Sequence, residues 1–332
     1  MNRKNIAVLG AGSFGTAFAQ VLANNGHQVH LWNWEGDPAP LKEIKSDREN
    51  KTYLPGVALS ENITPIEDIE EALDGVVAVF LAIPSANMAQ TITLAVPYIT
   101  KDMVIVDLSK GFDPDTMTFT PDMIARALPE SMKDQVVAIS GPAVAKQMAL
   151  GGVTLMNITS THVDAVHAVQ ALVESSPVRL IATEDLIGVE VGGACKNVYA
   201  IAMGMCDALG YGLNTKAALL TYAIKEIATV VEAMGGKKET AYDLAGLGDL
   251  IGTALAPESR NRRFGEYLGQ GDHPDIACEK VAQIVEGIDA LDAMMLIKKQ
   301  HHLFLPFTEM ISACVCGEKA VKEAMEEFIQ SL

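Results

Sequence analysis

A strand-like run that breaks into Gly-x-Gly-x-x-Gly and continues as a helix constrains this chain more than any other feature. Asn5-Ile-Ala-Val-Leu9 is apolar, Gly10, Gly12 and Gly15 come next, and Thr16-Ala-Phe-Ala19 continues with helical character. Each glycine answers a separate steric demand. Gly10 permits a tight strand-to-helix turn, Gly12 lets the backbone approach a pyrophosphate, and Gly15 lets the helix pack closely on the sheet. The pyrophosphate would rest on the free N–H groups and the positive end of that helix. A second strand-like run begins at Gln28 and ends at Glu35, about twenty residues beyond Gly15, where the fingerprint expects an acid that accepts from a ribose hydroxyl. The bare motif is weak, but this context makes a dinucleotide-binding unit the expectation.

A chain of 332 residues can support two domains with full cores. Its formal net charge of -17 argues against non-specific nucleic-acid binding. An anionic ligand must then be caught by a local cluster of cations. The cysteines, Cys195, Cys206, Cys278, Cys314 and Cys316, are odd in number and form no Cys-x-x-Cys pair, as expected of a reduced intracellular protein. Cys314 and Cys316 lack nearby His or Cys partners, so packing is expected there and no metal. Arg3 and Lys4 before a run ending in Ala17-Phe18-Ala19 imitate a signal peptide, but cleavage there would delete the fingerprint. No run reaches the roughly 18 uninterrupted apolar residues of a membrane span. The expectation is a soluble, cytoplasmic protein without membrane insertion.

Strand signals at Ile6–Leu9, Gln28–Trp32, Val76–Ile83, Val104–Leu108, Val136–Ser140, Val153–Ile158 and Val178–Ala182 alternate with helical stretches. Several are near-continuous apolar runs, as parallel strands covered on both faces require. Beyond about Asp185 the pattern turns helical, with a long helix expected from around Gly188. The expected fold is α/β: a Rossmann-type, doubly wound, mostly parallel sheet over residues 1–188, then an all-α substrate-binding and catalytic domain over residues 189–332. That order would place the substrate in the cleft between the two.

Three cation-bearing segments could carry chemistry. Lys110 follows a strand in Asp107-Leu-Ser-Lys110-Gly111, either over the cofactor crevice or as a solvated loop lysine. Lys196 has Gly192, Gly193, Tyr199 and Ala200 three and four residues away, a small and mostly apolar face. Poor solvation there would lower its pKa and suit it to proton transfer, unless the side chain snorkels out. Asp249 lies in Leu247-Gly-Asp249-Leu-Ile-Gly-Thr253, shortly before Ser259-Arg260-Asn261-Arg262-Arg263. The chain has seven arginines, and three lie within those last four positions. The cluster reads as an anion site, with helix-end capping the alternative, chiefly for Arg262 and Arg263.

These residues alone point to a nicotinamide-dependent dehydrogenase acting on a small phosphorylated substrate. Taken in order, Gly10-x-Gly-x-x-Gly-Thr16, Tyr53-Leu-Pro-Gly56, Ser109-Lys-Gly111, Ser140-Gly-Pro142, Gly193-Ala-Cys-Lys-Asn197, Leu244-Ala-Gly-Leu-Gly-Asp-Leu250, Ser259-Arg-Asn-Arg-Arg263 and Val285-Glu-Gly287 resemble the NAD(P)-dependent glycerol-3-phosphate dehydrogenases. The resemblance runs from residue 5 to roughly residue 320. It implies hydride transfer between a nicotinamide and C2 of dihydroxyacetone phosphate or sn-glycerol 3-phosphate, supplying glycerol 3-phosphate for glycerophospholipid synthesis. Lys196 would be the acid/base on the C2 oxygen, with Lys110, Asp249 and Thr253 aligning the substrate and tuning it. Ser259, Arg260 and Asn261 would hold the phosphate, with Gly141 also at the substrate. Ser13, Phe14, Lys110, Ala145, Arg260 and Glu286 match positions that meet the dinucleotide. The family usually forms homodimers.

Four positions depart from the family pattern: Ala143 lacks a hydroxyl, Gln147 a carboxylate, Leu213 an aspartate, and Asp243 replaces a glycine. After the second strand stands Asn33-Trp34-Glu35, where NADP-favouring members carry a base. A carboxylate accepts from a ribose hydroxyl and repels a phosphate, so NAD(H) is expected over NADP(H). Two rival readings stay open: a related 3-hydroxyacid or sugar-acid dehydrogenase, and a non-catalytic dinucleotide-binding redox sensor.

Overall fold

The computed structural model describes residues 3–112, 118–175 and 177–332. Two compact units emerge. One comprises Met1–Ser109, Thr118–Ile139 and Ala143–Leu186; the other comprises Ile187–Leu332 with Ser140–Pro142 and the stretch that starts at Lys110.

Among the described residues the first unit has eight strands: β1 (Asn5–Leu9), β2 (Gln28–Trp32), β3 (Ile63–Ile66), β4 (Ala78–Leu81), β5 (Val104–Asp107), β6 (Val136–Ser140), β7 (Thr154–Thr159) and β8 (Val178–Ala182). Their spatial order is 3-2-1-4-5-6-7-8. The β1–β2, β1–β4, β2–β3, β4–β5, β5–β6 and β7–β8 pairings are parallel. The run 3-2-1-4-5-6 is the doubly wound order, so the Rossmann-type expectation holds. Side chains of β1 alternate between two cores: Ile6 and Val8 join Phe18 and Phe80, while Ala7 and Leu9 join Val79 and Leu81. Burial on both faces explains the continuous apolar runs. Each fully buried Leu, Ile or Phe contributes about 1.5–3 kcal/mol.

Strand β3 escapes the apolar-run reading. It is four residues long and contains Pro65, which cannot donate to a ladder. The sheet accommodates it at its edge, beside β2 alone.

The second unit is helical. Its longest helix, Leu186–Ala208, is buried continuously from Gly188 to Cys206. By length and composition it could cross a membrane, yet 89% of its apolar window is buried inside the protein. Glycines let it meet the Arg260–Gly269 helix backbone to backbone: a Cβ on Gly204 would lie 1.9 Å from the Arg262 carbonyl oxygen. Buried Glu226 fastens its other side. The Glu226 carboxylate accepts from Tyr199 Oη at 3.0 Å and from the backbone N–H groups of Phe307 and Thr308 at 2.7 and 3.0 Å. Thr308 Oγ1 donates to it at 2.6 Å. Tyr199 is thereby fixed one turn beyond Lys196.

Candidate active site

The glycine loop in the first unit is shaped by contacts that no side chain could tolerate. Gly10 has φ +106°, and a Cβ there would lie 2.4 Å from the Ala82 carbonyl oxygen. A Cβ on Gly15 would lie 1.9 Å from the Gly10 carbonyl oxygen. Gly12 is different. It precedes the Ser13–Asn24 helix without a side-chain cap, and a Cβ there would meet nothing within 4 Å. Open space therefore faces the N–H groups of an uncapped helix start, as a pyrophosphate requires. Exposed Ser13 donates through Oγ to the Tyr53 carbonyl at 2.5 Å. Phe14 and Ala145 are half-buried against the first core, Phe14 edge-on to Phe18 at 5.6 Å.

The chain beyond β2 is tied to this loop. Asn33 Oδ1 accepts from the Ala11 N–H at 3.1 Å, and Asn33 Nδ2 donates to the Asp37 carbonyl at 2.7 Å. Tyr53 Oη donates to the Asp37 carboxylate at 3.0 Å. Glu35 and Trp34 are exposed on the same turn, so two acids, Glu35 and Asp37, stand at this end of β2. Asp37 was not among the expected site residues; Asn33, four residues before it, and Tyr53, sixteen residues after it, both tie it to the loop.

In the second unit, Lys110, Lys196, Asp249 and Thr253 converge. Asp249 is the first residue of the Asp249–Ala254 helix. Its Oδ2 accepts from Lys110 Nζ at 2.5 Å and its Oδ1 from Lys196 Nζ at 3.1 Å. Lys196 Nζ also donates to Thr253 Oγ1 at 2.5 Å, and Thr253 Oγ1 donates to Asp249 Oδ1 at 3.2 Å. Lys110 Nζ donates further to the Gly141 carbonyl at 3.1 Å. Burial lowers the Lys196 ammonium to about 8, against the attraction of Asp249 and with help from the charge of Lys110. Burial by itself would raise Asp249, but the two lysines outweigh it and hold the carboxyl below its ordinary range. Glu286, at the start of the Glu286–His301 helix, adds a weaker raising influence on Lys196.

Two of the three clustered arginines separate clearly. Arg262 is committed to structure, donating through Nε to Asp207 at 2.7 Å and pairing with Glu266 at 2.9 Å. Among the described residues Arg260 makes no ion pair, and it opens the Arg260–Gly269 helix. Ser259 caps that helix, its Oγ accepting from the Arg262 N–H at 3.4 Å. Buried Asn261 spans two elements: its Nδ2 donates to Asn197 Oδ1 at 2.9 Å and its Oδ1 accepts from the Gly287 N–H at 2.9 Å. Asn197, next to Lys196, is thus bound to the Ser259–Arg263 segment, although the residue pattern did not single it out as a site residue. Of the four departures, Gln147 and Leu213 are exposed and Ala143 is half-buried. Asp243 has local work, accepting from the Leu244 N–H at 2.8 Å in the turn that leads to Asp249.

A doubly wound sheet with an open glycine cradle, in a chain that also holds a buried lysine–carboxylate cluster, defines a dinucleotide-dependent oxidoreductase. Family models separate the members of that class. The model for the NAD-dependent glycerol-3-phosphate dehydrogenase N-terminus matches residues 5–166, and the C-terminus model matches residues 185–326. The chain belongs to this family. It is 38% identical over 326 residues to the glycerol-3-phosphate dehydrogenase (NAD(P)+) of Bacillus velezensis, covering 98% of this chain and 94% of that protein. The protein of the same name from Bacillus subtilis is 36% identical over 326 residues, with 98% and 94% covered. The crystal structure of glycerol-3-phosphate dehydrogenase from Coxiella burnetii superposes with a TM-score of 0.91 at 32% identity, covering 98% of this chain and 99% of that one.

Proposed function

We propose that this chain interconverts dihydroxyacetone phosphate and sn-glycerol 3-phosphate with Lys196 exchanging the proton of the C2 oxygen, and that it favours NAD(H). The observation that carries the reading is Asp249 held by two ammonium groups, one of them on a buried lysine with a pKa of about 8. A bound nicotinamide supplies or accepts the hydride at C2. In the reducing direction protonated Lys196 donates to the developing alkoxide, and its charge stabilises that oxygen strongly in a desolvated site. In the oxidising direction neutral Lys196 removes the hydroxyl proton. Asp249 fixes the Lys196 amine, Thr253 aims it, and Lys110 keeps the carboxylate ionised. Family membership supports the overall reaction and its supply of glycerol 3-phosphate.

The phosphate is assigned to Arg260 and the first-turn N–H groups of its helix, with Asn261 holding that turn through Asn197 and Gly287. Arg260→Ala is expected to raise KM for dihydroxyacetone phosphate about 10- to 100-fold, as loss of a charge-assisted hydrogen bond implies. Steady-state oxidation of NADH at 340 nm checks this, with unphosphorylated dihydroxyacetone as the control substrate. An equal loss for both substrates would remove Arg260 from the phosphate site.

Cofactor preference is assigned to the turn after β2, where Glu35 and Asp37 would face a 2′-phosphate with like charge. The expected kcat/KM is more than about tenfold higher with NADH than with NADPH. Equal or better kcat/KM with NADPH sinks the assignment. A cytoplasmic homodimer completes the proposal, with sedimentation velocity the test of the assembly.

A further inference from the structure

We infer that Ser140 and Gly193 form a steric joint that sets the position of Lys196, making both of them positioning residues for the reaction. The inference rests on the acid/base role proposed above for Lys196. Ser140 is almost fully buried, yet among the described residues its Oγ has no hydrogen-bond partner. An orphaned buried hydroxyl calls for another explanation. Its neighbour supplies one, since a Cβ on Gly193 would lie 2.5 Å from Ser140 Oγ. The next atoms are farther off, Ser140 Cβ at 3.5 Å and Lys110 Cγ at 3.7 Å. The hydroxyl thus occupies the notch that the glycine leaves in the helix.

Both sides of this notch lead to the reacting lysine. Gly193 and Gly192 lie three and four residues before Lys196, on the same helix face. Gly192 abuts the turn that leads to Asp249, where its Cβ would meet Gly246 Cα at 3.1 Å and the Ala245 carbonyl oxygen at 3.2 Å. Ser140 precedes Gly141, whose carbonyl accepts from Lys110. Pro142 lies against Gly248, the residue before Asp249, with its Cδ 3.3 Å from where a Cβ would stand. The glycine pair therefore fixes how deeply the helix seats between the segments that carry Asp249 and the Lys110 acceptor. That depth sets the 3.1 Å contact between Lys196 and Asp249.

Propensity and packing predict opposite signs at this position. Alanine is favoured over glycine inside a helix, so a substitution without a clash would be benign. With the clash, Gly193→Ala is expected to lower kcat about 10- to 100-fold, the scale of a misplacement near 1 Å, and to change KM for dihydroxyacetone phosphate much less. The alkaline limb of the kcat profile should move as well, because the Lys196–Asp249 contact changes. Since only one hydroxyl oxygen is in the way, Ser140→Ala in the same chain should return kcat to within about threefold of Ser140→Ala alone, as coupled neighbours do in a double-mutant cycle.

The experiment compares wild type, Gly193→Ala, Ser140→Ala, the double variant and Lys196→Met by kcat, KM, pH profile and thermal melting. Rescue of both kcat and the pH limb supports the joint, as does a double variant that folds where Gly193→Ala does not. A double variant as impaired as Gly193→Ala overturns it, and so does Gly193→Ala at wild-type kcat. Lys196→Met at wild-type kcat would instead overturn the acid/base reading, and the purpose of the joint with it.

Discussion

Replacement of Lys196 by alanine is expected to lower kcat about 10²–10⁴-fold, the usual contribution of a positioned general acid or base, with little change in KM. On the proposed acid/base role the ammonium acts where charge develops in the transition state, so its removal would affect turnover more than ground-state binding. The pH dependence gives the assignment a second readout. With a pKa of about 8 for Lys196, reduction needs the protonated form and should decline as pH rises through that value. Oxidation needs the neutral form and should rise across the same range. Both limbs should vanish in Lys196→Ala. Profiles of kcat in both directions provide the measurement, and a variant that kept either limb would move the proton transfer to another group.

The second large effect is expected at Asp249. Asp249→Asn keeps the shape of the side chain but leaves Lys110 and Lys196 without their shared carboxylate in a buried site. Breaking a buried pair by removing one partner costs about 3–5 kcal/mol, so urea denaturation at pH 7 should show a loss of that order. Lys196 would also lose the attraction that opposes its burial, and the pH limbs should move to lower pH.

Linkage fixes where the stability difference is seen. The Asp249 carboxyl is depressed in the folded state. Its stabilisation is therefore complete above its unfolded value and disappears as pH falls through the lower folded value. The gap between wild type and Asp249→Asn should narrow in acid. Lys196, depressed from 10.5 to about 8, also adds stability as pH rises, but in a higher window: its burial costs stability below 8, and the cost is relieved as pH rises towards 10.5. A gap unchanged between pH 7 and pH 2 would show that Asp249 does not act through its charge.

Much of the first unit was legible because its signals are local. Apolar runs mark strands covered on both faces, and seven of the eight observed strands fall on strand signals read in the sequence, although edge strand β8 is buried on one face only. The exception, Ile63–Ile66, is an edge strand whose Pro65 would disqualify it in the middle of a sheet. Tertiary placement made it acceptable. The glycine loop was legible as a local motif, although the carbonyl that forbids a Cβ on Gly10 belongs to Ala82, just beyond β4.

The candidate site was legible as residue types and illegible as partners. Lys196 stood out through the small residues on its helical face, yet its partner Asp249 lies 53 residues away, and Lys110 lies 139 residues from the same carboxylate. Arg260 and Arg262 are the same residue type two positions apart. Asp207 and Glu266 take one of them, and that choice depends on how two helices cross. Asn197 and Asn261 meet across 64 residues.

By itself, the sequence determined the doubly wound cofactor unit, the helical character of the chain beyond Asp185, and the residue types available for hydride and proton chemistry. Backbone sterics and apolar periodicity act over a few neighbouring residues and can be read in order along the chain. Tertiary structure decided which charges share a carboxylate, which arginine is tied up in ion pairs, and how far Lys196 is desolvated. Those properties depend on distances of about 3 Å between distant segments and on exclusion of water, which only the packed chain establishes.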